Sequence, residues 1–170
     1  MASPTASHTI AIVSDTHLPR GSRRIPDECR ERLLAAELIV HAGDLSSVAV
    51  LRELQDLGPV AAVRGNVDDA EVQALLPERL ELTVGGARLG VIHDAGPRPG
   101  RLARLRAAFP DASAVIFGHS HIPLREREDA SGFQIFNPGS PTDKRRQPHY
   151  TMGWAYVQDG EVSFEVVKLG

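Results

Sequence analysis

The sequence has 170 residues, 42% hydrophobic and 24% charged, which fits a single globular domain spanning 1–170 with a substantial core. Its net charge of −3 gives no global attraction to nucleic acid or an anionic membrane, so a phosphate-bearing ligand has to be recruited by a local site. The single Cys29 excludes an intrachain disulfide and reads as a passive, partly buried thiol in a reducing, cytoplasmic setting.

Residues 1–7 lack the basic region and apolar stretch of a secretory leader and read as a flexible start. No segment approaches the ~18 apolar residues that span a membrane. His8 to Ser14 is a β-rich run that stops at Asp15-Thr16-His17, where a carboxylate and an imidazole stand two apart. A basic loop follows, in which Arg20, Arg23 and Arg24 form either a solvated turn or a phosphate-attracting rim. Pro26 opens a helix through Leu33 and Leu34. Leu38 to His41 is a second buried strand, ending at Ala42-Gly43-Asp44. Ser46 or Ser47 caps the next helix, whose apolar face is Val50, Leu51, Leu54 and Leu57, and Gly58-Pro59 stops it. Val60 to Val63 is a third strand, followed by Asn66 and Asp68.

Strand, helix, strand, helix, strand implies parallel pairing, and in such sheets ligands gather beyond the carboxyl ends of the strands. The pattern then changes. Arg79–Val84 and Ala87–Ile92 flank Gly85-Gly86, a two-residue hairpin signal, and the second strand delivers His93. A helix carrying Arg101, Leu102, Leu105 and Phe109 follows, its arginines read as a solvated face. Ala114 to Ile116 is a buried strand leading to Phe117-Gly118-His119-Ser120-His121. If that segment stays extended, His119 and His121 face the same side. A strand near Phe133–Phe136 runs into the turn Asn137-Pro138-Gly139-Ser140, and Asp159-Gly160 joins the final pair, Thr151–Val157 and Glu161–Val167. Parallel units followed by hairpins predict an α/β protein with two mixed β-sheets face to face and helices outside.

The strand ends together offer Asp15, His17, Asp44, Asn66, His93, His119 and His121. Mixed oxygen and nitrogen donors suit manganese, iron, nickel or zinc better than calcium. Seven donors are more than one ion with open positions needs, whereas two ions ~3.5–4 Å apart sharing one carboxylate use them all. Two of the seven are anionic, so a loaded cluster stays electropositive and attracts a phosphate ester.

These motifs, in this order, resemble those of the calcineurin-like metallophosphoesterases, and Asn137-Pro138-Gly139-Ser140 with the small size resembles their small bacterial and archaeal phosphodiesterases. The resemblance implies a four-layer α-β-β-α sandwich and two divalent metals per chain, manganese first, with iron, nickel or zinc as alternatives. It places one ion on Asp15, His17, Asp44 and His121 and the other on Asp44, Asn66, His93 and His119. Through the ions, Asp15, Asp44, Asn66 and His93 serve in-line attack of a bridging hydroxide on a small phosphate diester. Two positions depart from the pattern. Val67 stands where many members have a histidine acting as general acid. Asp94 stands where glycine is common, and either orients His93 or reshapes the loop.

Two other readings belong to different classes. A catalytically idle scaffold of this fold would bind a partner protein, as the retromer's phosphoesterase-like subunit does, but such a scaffold need not keep all seven donors. A nuclease would need capping or DNA-binding segments for which this chain has neither room nor a basic stripe. A homo-oligomer stays open.

Overall fold

The computed structural model describes residues 7–170; most of the expected flexible start lies outside the described residues. Fourteen elements follow in chain order: β1 (His8–Val13), α1 (Asp27–Ala35), β2 (Leu38–His41), α2 (Val48–Leu57), β3 (Val60–Ala62), α3 (Ala70–Leu75), β4 (Arg79–Val84), β5 (Ala87–Ile92), α4 (Arg101–Ala108), β6 (Ala114–Ile116), β7 (Leu124–Arg127), β8 (Gln134–Asn137), β9 (Tyr150–Gln158) and β10 (Glu161–Leu169). They form two five-stranded sheets, ordered β10-β9-β1-β2-β3 and β4-β5-β6-β8-β7.

Both sheets are mixed. In the first, β1, β2 and β3 are parallel and β9 runs antiparallel to β1. In the second, β5, β6 and β8 are parallel between antiparallel edges β4 and β7. The apolar runs are continuous because the central strands are buried on both faces. Ile10 and Ile12 of β1 point inward with Leu89, Val91, Ile116 and Phe136 of the other sheet. Ala11 and Val13 point outward against Leu33 of α1 and Leu51 and Leu54 of α2. On the far side, Leu105 of α4 and Phe109 pack on Val115 and Ile135. This is the four-layer α-β-β-α sandwich.

Most local expectations survive at their joints. Gly85 and Gly86 both take left-handed backbone (φ 53° and 84°), as a tight hairpin between twisted strands requires. Three details differ. Ser47 is at the start of α2 but makes no side-chain cap; its hydroxyl reaches the Leu18 carbonyl instead. The short helix α3, capped by the Asp69 side chain on the Val72 amide, and the edge strand β7 were not apparent, having few apolar repeats. The arginines of α4 are not simply solvated: Arg104 bonds the carbonyls of Ala95, Pro97 and Pro99, clamping the loop that follows His93.

Candidate metal centre

Six of the seven candidate donors follow β1, β2, β5 or β6, and Asn66 follows β3, so parallel strands from both sheets aim their carboxyl ends at one place. Two groups of ligand atoms result, one of Asp15, His17 and His121 and one of Asp44, His93 and His119, the atoms of each within 4.8 Å of one another. Asp44 Oδ2 links them, 3.1 Å from His93 Nε2 and 3.7 Å from His17 Nε2. Asn66 Oδ1 joins the second group, 3.0 Å from His93 Nε2 and 3.2 Å from His119 Nδ1. The structure thus brings all seven together.

The expected extended geometry of His119 and His121 is wrong. Both have left-handed backbone (φ 72° and 61°), so they diverge, His121 to the first group and His119 to the second. Asp15, His17 and Asp44 share this conformation, at φ 56°, 47° and 60°. Left-handed backbone costs a residue with a Cβ roughly 1–2 kcal/mol, and such strain concentrates at functional sites. The glycines beside these residues are there for close approach. A Cβ on Gly65 would lie 2.0 Å from Asp44 Oδ1, and one on Gly118 would lie 2.0 Å from Ser14 Oγ and 2.8 Å from Asp15 Oδ2.

Hydrogen bonds beneath the cluster decide what its atoms offer. His93 Nδ1 donates to the Ala42 carbonyl at 2.7 Å and His121 Nδ1 to the Asp143 carbonyl at 2.5 Å. A carbonyl only accepts, so each neutral ring presents its lone pair at Nε2. For His93 that lone pair meets Asp44 Oδ2 and Asn66 Oδ1; for His121 it meets His17 Nε2 at 3.2 Å and Asp15 Oδ1 at 3.5 Å. Asp15 Oδ1 is fully buried and has no hydrogen-bond partner among the described residues, while Oδ2 accepts from Ser14 Oγ and the His119 amide. Acceptors facing acceptors need a cation or a proton between them. Burial opposes a charge on His93, yet its contact with Asp44 and the charge of Asp15 outweigh burial and raise its pKa. Burial likewise opposes the Asp44 charge, but His93 and the Val67 amide overcome it and hold the carboxyl down at about 2. Burial dominates at His121 and lowers its pKa. The donor set fits divalent transition metals.

Residues outside the seven fix this arrangement, and the sequence reading did not assign them that work. Asp68 accepts from the amides of Ser46, Asp44 and Gly65 at 2.7, 3.1 and 2.6 Å, stapling the β2 loop to the β3 loop. His41 is wholly buried, accepts from the Gly43 amide and pairs with the Thr16 hydroxyl at 3.0 Å; burial drives its pKa down to about 3. Ser140 and Thr142 donate to the carbonyls of Asp15 and Thr16. A polar residue closing an apolar buried strand was the available signal for His41. Asp94 makes no hydrogen bond to His93; it accepts from the Gly96 amide and, with Arg64 and Glu78, lines a cleft of ≈ 320 Å³ that Asn66 and His93 also line. Arg20, Arg23 and Arg24 line a second cleft, whose lining includes none of the seven donors.

A family model described as a calcineurin-like phosphoesterase superfamily domain matches residues 9–160. The chain belongs to the calcineurin-like phosphoesterase superfamily. A probable metallophosphoesterase of Methanothermobacter thermautotrophicus is 37% identical to this one over 165 residues, 95% of this chain and 92% of that protein. Among solved structures, vacuolar protein sorting 29 of Cryptosporidium parvum superposes with a TM-score of 0.78 at 19% identity, over 96% of this chain and 98% of the other. Wild-type Vps29 of Entamoeba histolytica, solved with zinc, gives 0.74 at 22%, over 94% and 98%. At those identities the structural likeness establishes the fold. No helix among the described residues of this phosphoesterase-family chain is long and apolar enough to cross a membrane.

Proposed function

We propose that this protein is a metal-dependent phosphodiesterase acting on small phosphate diesters, with Asp15, His17, Asp44 and His121 holding one divalent ion and Asp44, Asn66, His93 and His119 the other. The observation that carries the reading is the set of buried acceptors that confront one another across two adjoining groups, with Asp15 Oδ1 unpartnered. When bound, a pair of such ions supplies Lewis acidity toward phosphoryl oxygens and a water acidic enough to attack at neutral pH. The chain contributes the rest. Asp44 couples the two groups, the Ala42 and Asp143 carbonyls keep His93 and His121 in the ligating tautomer, and the strained backbone presents the donors preorganised. Manganese is the first choice, with iron, nickel and zinc suited to the same donors.

The test combines metal analysis with a phosphomonoester and phosphodiester panel. Fully loaded wild-type protein is expected to hold two metals per chain and to favour diesters. Asp44→Ala, which removes the shared carboxylate, is expected to lose both ions; a variant that keeps both would overturn the bridging role. The partner-binding scaffold draws support from the likeness to Vps29. The complete donor set favours hydrolysis over it.

A further inference from the structure

Nearly a third of the basic residues stand in two loops: Arg20, Arg23 and Arg24 after β1, and Lys144, Arg145 and Arg146 before β9, six of 19. The structure brings the loops together. Arg23 Nη1 lies 3.6 Å from Asp143 Oδ2, immediately before Lys144, and Lys144 Nζ sits 5.6 Å from the centre of the Tyr150 ring. Between them opens a cleft of ≈ 670 Å³, its walls including Arg20, Arg23, Thr142 and Tyr150. Within these two loops the cations meet few anions. Arg24 is forked onto Asp27 and Arg23 faces Asp143, whereas Arg20, Arg145 and Arg146 have no carboxylate partner among the described residues. In a chain of net charge −3 this is a local concentration of unneutralised guanidinium.

The cleft also adjoins the metal centre. Arg20 is three residues past His17, the Asp143 carbonyl holds His121 Nδ1, and the Arg145 charge acts on His121. We propose that this cleft holds a second phosphate group of the substrate, so that the preferred diesters carry a further phosphate beyond the one cleaved. The proposal rests on the phosphodiesterase reading above. Of the unpartnered guanidinium groups, Arg20 lines the cleft and Arg145 belongs to the adjoining loop; such donors are matched to phosphate oxygens, which they bind as charge-assisted forks. The phosphate could belong to a small polyphosphate or to a nucleic-acid strand; the chemistry recognised is the same.

Two substrates isolate the contribution. The p-nitrophenyl ester of thymidine 5′-phosphate and its 3′-phosphorylated form share a leaving group and differ by one phosphate. On manganese-loaded protein the phosphorylated ester is expected to show at least a ~10-fold higher kcat/KM, chiefly through KM, as charge-assisted contacts allow. The ratio is expected to fall toward one in Arg20→Gln/Arg145→Gln and in about 0.5 M salt. A wild-type ratio near one overturns the proposal. Calorimetry with tripolyphosphate on metal-free protein reads the cleft without catalysis and without phosphate bound to a metal. Binding lost in the double variant supports the cleft; no binding by wild type overturns it. If neither ester is cleaved but tripolyphosphate still binds in this way, the hydrolase reading fails and the anion cleft stands. A short thymidine oligonucleotide that binds more tightly than tripolyphosphate assigns the phosphate to a nucleic-acid strand, and weaker binding assigns it to a small polyphosphate.

Discussion

His119 shows how a single donor is held against its own preference. Its backbone is left-handed, its amide is tied to Asp15 Oδ2, and its ring is exposed where the second group opens. Removing the ring therefore separates two effects. In metal-free protein, His119→Gly is expected to be more stable than His119→Ala by about 1 kcal/mol in urea unfolding, reversing the usual order, because glycine relieves the backbone strain that alanine retains. Equal stabilities would mean the strain is not stored there. Val67 poses a chemical question at the same scale. Its amide donates to Asp44 Oδ1 while its side chain stands half exposed with no proton to give. Asp68 is buried and fully engaged by three amides, so it is not a substitute. General acids typically contribute ~10²–10⁴-fold, so aryl diesters are expected to be preferred and kcat/KM to fall steeply with rising leaving-group pKa. Val67→His should flatten that slope. A shallow wild-type slope, with chemistry rate-limiting, would remove Val67 from the explanation.

At the scale of elements, the loops after β1, β2 and β3 behave as one unit because Asp68 and His41 stitch them. Asp68→Ala leaves three amides without acceptors, and with ~1–3 kcal/mol for each unsatisfied donor, a loss of about 3 kcal/mol in urea unfolding is expected once water reaches some of them. Metal affinity should fall with it; a loss below about 1 kcal/mol would show that the staple is dispensable. The strands themselves were legible in the sequence because Ile10 to Val13, Leu38 to Val40 and Ala114 to Ile116 are short apolar runs punctuated by glycine or a polar residue. So was the gathering of Asp15, His17, Asp44 and Asn66 at one sheet edge, which follows from parallel pairing; the arrival of His93, His119 and His121 depends on how the second sheet packs on the first. The division of His119 from His121 came from the family resemblance and not from the local pattern, since left-handed backbone at a histidine leaves no mark in residue type. Nor was the clamp by Arg104 legible, because a cation bonding loop carbonyls looks in sequence like any other on an exposed helix. Cys29 did reveal itself: the thiol is buried, and burial pushes it up to about 12.

The whole molecule carries a pH signature from His41. Its folded-state pKa of about 3 lies below its ordinary value of 6.5, so the unfolded chain takes the proton first as pH falls. The stability it contributes is complete above 6.5 and is lost from there down toward 3, at up to ~1.4 kcal/mol per pH unit. Because the raised pKa of His93 acts in the opposite sense, the measurement is the difference between wild type and His41→Gln. Metal-free wild type should show the steeper acid loss, and parallel curves would refute the assignment.

The inner apolar layer has a further consequence. Phe136 of one sheet lies so close to Gly153 of the other that a Cβ there would sit 2.4 Å from the ring, and the same ring stacks on Phe164 at 4.6 Å. Asp15, His17, Asp44 and Asn66 belong to the first sheet, while His93, His119 and His121 belong to the second. Each ion would thus be grasped by two independent walls, and the bite of the chelate is gauged by the thickness of hydrocarbon between them. Phe136 and Gly153 act as shims: their contact sets how far apart the two donor-bearing walls stand.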